Sequence, residues 1–138
     1  MSTETTQAFD DFLFHLPQIT QNFIKQLHDE GYFIGYESDF IDSLEAYFLQ
    51  KNISVHDDLY YDGACYLGEW FRRHYQGQWE LEQDKKSVFY NKPIINYHHK
   101  SGVVFSPFTA LKTVILKKKT GTLKTIIMSN VADRKPNP

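Results

Sequence analysis

Residues 58–75 read DLYYDGACYLGEWFRRHY. Leu59, Gly63, Tyr66, Leu67, Trp70, Phe71 and His74 recur at three- and four-residue intervals, which places them near one face of a helix. Gly63, Ala64 and Gly68 are small. A glycine inside a helix costs about 1 kcal/mol relative to alanine. Two in one helix therefore predict close approach by a neighbouring helix or strand. Gly77 closes the segment, and the apolar period then drops from 3.6 to 2. Trp79 and Leu81 alternate with Gln78, Glu80 and Glu82, as in a half-buried strand.

Downstream, short β-rich runs alternate with turns. Asp84-Lys85-Lys86, Asn91-Lys92-Pro93 and Lys100-Ser101-Gly102 read as turns. Val88-Phe89-Tyr90, Ile94–His98 and Val103-Val104-Phe105 read as strands. Together they predict an antiparallel meander. Ser106-Pro107 is an N-cap followed by a first-turn proline, an explicit helix start. Phe108, Leu111, Val114 and Ile115 form its stripe and Gly121 stops it. Leu123, Ile126, Ile127 and Val131 continue in a last helix or strand.

Upstream, Ala8, Phe9, Phe12 and Leu13 mark a helix over residues 3–14. Pro17 suits the first turn of a second helix, with Ile19, Phe23, Ile24 and Leu27 as its stripe and Gly31 at its C-cap. Ser38 or Asp39 caps the next helix. Phe40, Ile41, Leu44, Tyr47 and Phe48 face inward there, with Asp42, Glu45 and Gln50 outside the stripe. The expected fold is α+β in one domain spanning 1–138. An acidic helical part (1–55) precedes a core of helix, meander and helix (56–132), and residues 133–138 form a frayed tail. One or two C-terminal helices cover the sheet.

A chain of 138 residues fits one domain with a single core. Its 41% hydrophobic and 16% aromatic content excludes general disorder. No apolar run approaches the ~18 residues of a membrane span; Thr113–Leu116 is cut short by Lys117, Lys118 and Lys119. The N-terminus has no basic n-region and no apolar h-region, so it does not read as a secretory signal. Cys65 is alone, which excludes an intramolecular disulfide and fits a reducing cytoplasm. The expectation is a cytoplasmic protein without membrane contact.

The formal net charge of −2 hides an asymmetry. Residues 1–62 hold twelve acids against Lys25 and Lys51, a charge of −10. Residues 63–138 hold thirteen bases against Glu69, Glu80, Glu82, Asp84 and Asp133, a charge of +8. Either the halves pair their charges where they meet, or each presents one sign to solvent and steers a partner of the opposite sign.

No residue carries a trusted catalytic signature. Cys65 follows Asp62-Gly63-Ala64 without a nucleophile motif and reads as a buried small hydrophobe. His98 and His99 are adjacent on a strand and point to opposite faces, so they do not chelate one metal. His56-Asp57-Asp58 lacks any metal-ligand spacing. Glu69 is a candidate acid or base on the glycine-lined face, but Arg72 and Arg73 stand at i+3 and i+4 to pair with it. No glycine-rich phosphate loop is present. The reading therefore assigns no catalytic residue, no metal and no cofactor. Arg72-Arg73, Lys85-Lys86, Lys112, Lys117–Lys119 and Lys124, with Trp70, Phe71, Trp79, Phe89, Tyr90 and Tyr97 near them in sequence, offer a nucleic-acid alternative. An isoelectric point near 6.3 disfavours it.

Gly63-Ala64-Cys65-Tyr66-Leu67-Gly68-Glu69, then Gly77-Gln78-Trp79, then Ser106-Pro107-Phe108 resemble a pattern in small bacterial α+β domains of unassigned function. The resemblance covers about residues 60–120. It implies an immunity-type protein that neutralises a bacterial toxin by binding alone. On that reading the partner is a basic protein docked on the acidic half. The candidate surface is Asp29, Glu30, Glu37, Asp39, Asp42, Glu45, Asp57, Asp58 and Asp62, with Tyr32, Tyr36, Tyr60 and Tyr61 as central anchors. The alternatives are a small metal-dependent or acid–base hydrolase using Glu69 and histidines, and a nucleic-acid binder using the C-terminal lysines.

Overall fold

A computed structural model describes residues 3–37, 40–96 and 104–131. In chain order it comprises α1 (Thr3–Asp29), α2 (Phe40–Gln50), α3 (Asp58–Tyr75), β1 (Gln78–Leu81), β2 (Pro93–Asn96), β3 (Val104–Phe105), α4 (Pro107–Lys117) and α5 (Thr122–Val131). The strands form one antiparallel sheet in the order β1-β2-β3, with Trp79 opposite Ile95 and Ile95 opposite Phe105. The chain is α+β: helices, a small meander, then two helices.

Helix α3 is the centre. Every residue from Gly63 to Gly68 is buried, as are Trp70 and Phe71. α1 and α4 pack along it, and Phe71 stacks on Phe105 of β3 with ring centroids 4.0 Å apart. Both glycines are where neighbours come closest. A Cβ on Gly63 would lie 2.5 Å from the Phe48 ring of α2 and 3.2 Å from Leu111 of α4. A Cβ on Gly68 would overlap the Trp79 ring of β1 and sit 3.2 Å from Pro107. The close approach read from the two glycines is thus an approach by aromatic rings.

Several local readings are corrected. α1 is one helix through Pro17, not two. A proline removes one N–H and crowds the carbonyl four residues back. Here Phe12, Leu16, Thr20, Phe23 and Leu27 are buried at helical spacing on both sides of it, so packing holds the helix together. Thr20 Oγ1 also donates to the carbonyls of Leu16 and Pro17, both at 3.0 Å. Val88-Phe89-Tyr90 lies in successive turns, not a strand. Ser87 N–H donates to Asp84 O at 2.9 Å and Lys92 N–H to Phe89 O at 2.9 Å. Val88 is 80% exposed, and β-rich side chains make no strand without a face to bury.

The Ser106 cap is as read: its Oγ accepts the Thr109 N–H at 3.3 Å, and Pro107 sits in the first turn. α4, however, stops at Lys117. Lys118 adopts the left-handed conformation (φ 53°) and its N–H donates to Val114 O at 3.0 Å. Gly121 instead precedes α5, and the last element is a helix. The Ser38/Asp39 cap, His98, His99, the Lys100–Gly102 turn, Val103 and the 133–138 tail lie outside the described residues.

Replacing Gly68 by alanine should destabilise the fold by about 1–3 kcal/mol, because overpacking outweighs the ~1 kcal/mol gain in helix propensity. Urea unfolding would show a lower midpoint with an unchanged slope; an unchanged or raised midpoint would contradict the packing described.

Candidate functional site

The acidic candidates divide by what their oxygens touch. Glu45 is only 3% exposed. Its Oε1 accepts the Gly121 N–H at 2.6 Å and its Oε2 the Leu123 N–H at 2.7 Å. The carboxylate thus caps the N-terminus of α5, where unpaired N–H groups and the helix dipole favour a negative charge. This corrects the placement of Glu45 on a partner-binding surface. It faces inward because α5 comes to meet α2, an arrival 76 residues away in sequence.

Asp29 pairs with Lys25 at 2.9 Å and Glu30 with Lys51 at 3.5 Å. Glu30 also accepts the Tyr47 hydroxyl at 2.9 Å. The Glu37 side chain is exposed, and its backbone carbonyl accepts Trp70 Nε1–H at 2.9 Å. Asp42 is exposed and borders a concavity of about 310 Å3 shared with Trp70, His74, Lys124 and Met128. Asp57 accepts the Ser54 N–H at 2.8 Å, Asp58 is exposed, and Asp62 is half-buried. Burial, and then the charge of Asp58, push the Asp62 carboxyl above its ordinary range. Asp39 lies outside the described residues.

These acids do not form one surface. The 32–37 segment runs along the C-terminal part of α3: the Tyr66 hydroxyl donates to Gly35 O, and His74 Nε2 lies 2.5 Å from Tyr36 O. Asp57, Asp58 and Asp62 stand at the opposite end of that helix. Sixteen residues at 1.5 Å rise separate Asp58 from His74, about 24 Å. All four tyrosine anchors also have internal partners. Tyr32 OH donates to Gln50, Tyr60 OH donates to Phe108 O at 2.6 Å, and the Tyr36 ring lies beneath the Arg73 guanidinium at 3.7 Å. Tyr61 packs its ring on Phe12 and Phe108 yet stays 40% exposed beside Asp62.

The groups considered for chemistry are held in structural roles. Arg72 Nε donates to Glu69 Oε2 at 2.9 Å, Arg72 Nη2 to Oε1 at 3.0 Å, and Trp79 Nε1 to Oε2 at 2.8 Å. Burial pushes the Glu69 carboxyl up, but these donors and the nearby arginine charges outweigh it and hold the group below its usual range. Cys65 is buried against Phe12 and Leu16. Burial, with Asp62 and Glu69 nearby, raises its thiol to about 12, so it stays protonated at neutral pH. Among the described residues no three His, Cys, Asp or Glu side chains gather as a metal-ligand set. No described helix is long and apolar enough to cross a membrane. Lys112, Lys117, Lys118, Lys119 and Lys124 are exposed on α4, α5 and their link.

All three ion pairs among the described residues join partners within the same half of the sequence: Lys25–Asp29, Lys51–Glu30 and Arg72–Glu69.

Sequence reasoning missed one feature. An open cleft of about 450 Å3 lies where α1, α3, α4 and the β1–β2 edge meet. Ala8, Phe9, Phe12, Tyr60, Tyr61, Leu81, Pro93 and Phe108 form its apolar walls, with Lys92 and Lys112 among its polar residues. Tyr60 and Tyr61 are legible in the sequence as anchors, but residues spread from 5 to 112 converge only through the tertiary fold. No protein-family model, curated protein or solved structure matches the chain.

Removing the Glu45 carboxylate by Glu45→Ala should cost about 2–3 kcal/mol, because two charge-assisted hydrogen bonds go and two N–H groups lose their partner. Chemical denaturation would measure it, and a loss under ~0.5 kcal/mol would contradict the capping role. Asp62 binds its proton more tightly folded than unfolded, so its ionisation opposes folding. Asp62→Asn should therefore raise the melting temperature at pH 7, and the gain should shrink as pH falls through the raised folded-state value of Asp62 and vanish below the ordinary carboxylate range. A variant less stable than the parent at pH 7 would refute this.

Proposed function

We propose that this chain acts by binding another protein, without catalysing a reaction, and that the partner presents a basic surface. The observation that supports this reading is the placement of the ion pairs. Each lies within one half of the sequence, so among the described residues no acid of the first half is ion-paired with a base of the second, and Asp42, Asp58 and Asp62 carry no ion pair. Long-range attraction between such a surface and a cationic partner raises the association rate.

The N-terminal end of α3 is the favoured patch. Asp57, Asp58 and Asp62 are grouped there, and Tyr61 supplies an exposed ring beside them. Asp58 and Asp62 repel one another in the free chain. A lysine or arginine from a partner relieves that repulsion, which favours binding over the unbound state. An aromatic anchor bordered by charge is the common anatomy of a protein interface. The finer reading is an immunity-type bacterial protein that neutralises a basic toxin in the cytoplasm. It rests on the resemblance carried by Gly63–Glu69, Trp79 and Ser106-Pro107-Phe108.

The test begins with capture of partners from a native lysate by the full chain and by its Asp58→Lys/Asp62→Lys variant. A basic protein held by the first and lost by the second is then purified for kinetics. Association with the parent chain should slow as salt rises, and the variant should associate about tenfold more slowly at low salt with a flatter salt dependence. Rates that are equal for the two chains at every salt concentration would overturn the proposal.

A further inference from the structure

The cleft between α1, α3 and α4 has the properties of a ligand site in its own right. Its volume of about 450 Å3 falls within the ~300–1,000 Å3 typical of small-molecule pockets. Its walls are braced. Tyr60 is pinned by its hydrogen bond to Phe108 O at 2.6 Å, and the Phe108 ring lies 5.6 Å from Tyr61 and 6.4 Å from Phe12, centroid to centroid. Rings held this way keep the cleft open before any ligand arrives, which lowers the ordering needed on binding.

The charges point to the kind of ligand. Lys92 and Lys112 line the cleft, and neither belongs to an ion pair among the described residues. Among the described residues no aspartate or glutamate lines it. An apolar body suits the aromatic walls, and one anionic end suits the two ammonium groups. We propose that this cleft binds a medium-chain fatty acid, with its alkyl chain lying along the packed rings of Phe9, Tyr61 and Phe108 and its carboxylate at Lys92 or Lys112. The inference does not rest on the protein-binding reading: the two share Tyr61, but the lysine end of the cleft lies outside the acidic patch, and Lys92 and Lys112 are tested without touching it.

Calorimetric titration of the full chain with decanoate, below its micelle concentration, tests this, with decanol as the uncharged control. Decanoate should bind with a dissociation constant below about 0.1 mM. Lys92→Met combined with Lys112→Met should weaken decanoate about tenfold and leave decanol unchanged. Both lysines are exposed, so this variant should fold as the parent does, which circular dichroism and melting would verify. Ala8→Trp, which fills the cleft from α1, should abolish binding of both. Absence of binding at 1 mM decanoate would overturn the proposal. Equal affinity for decanoate and decanol would do so too, as would decanoate affinity unaltered by the lysine variant.

Discussion

Two aromatic rings occupy the space beside α3 that side chains at Gly63 and Gly68 would fill. Phe48 lies against the first and Trp79 against the second. Because Trp79 lies this close, its indole N–H reaches Glu69 at 2.8 Å, and Arg72 completes the neutralisation of that carboxylate. Because Phe48 lies this close, α2 is held where Glu45 meets the start of α5. A helix that would be weak alone, with two interior glycines, becomes the element against which α1, α2, α4 and the sheet are positioned. The sheet contributes few residues, but Trp79, Ile95 and Phe105 join the core, through Phe105 stacking on Phe71 and Trp79 against Phe12.

The two oppositely charged halves meet through this apolar centre. Phe23, Leu44, Tyr47 and Phe48 come from the acidic half; Tyr66, Leu67, Phe71, Leu111 and Val114 come from the basic half, and all are fully or almost fully buried. Burial of such side chains is worth about 1.5–3 kcal/mol each, whereas exposed ion pairs contribute about 0–1. The fold therefore has no need of pairing across the halves, and the charges stay available outside. Within the acidic half, Asp29 and Glu30 are answered by Lys25 and Lys51, and Glu45 by backbone N–H groups rather than by a base.

What could be read in the sequence follows from how local each cause is. The glycine pair, the Ser106-Pro107 start and the i,i+3 partnership of Glu69 with Arg72 are encoded within a few residues, and each is present. Pro17 misled because its local effect, helix breaking, is overridden by burial along a face that continues past it. Val88-Phe89-Tyr90 misled because propensity describes a pleated half-buried surface, and no such surface is offered there. Glu45, the internal engagement of Tyr32, Tyr36 and Tyr60, and the aromatic cleft all arise from contacts between segments far apart in sequence. Periodicity within one helix carries no information about which neighbour arrives on its polar side.

The claim most open to test is that apolar packing around α3, and not charge pairing, joins the two halves. Unfolding free energy measured by urea titration between 0.05 and 0.5 M sodium chloride addresses it directly, since salt in that range screens exposed charge interactions. The account predicts stability that is unchanged or slightly higher as salt rises, because repulsion within each half is relieved. A steady loss of stability with rising salt would show that attraction between the acidic and basic halves holds the fold together, and would contradict it.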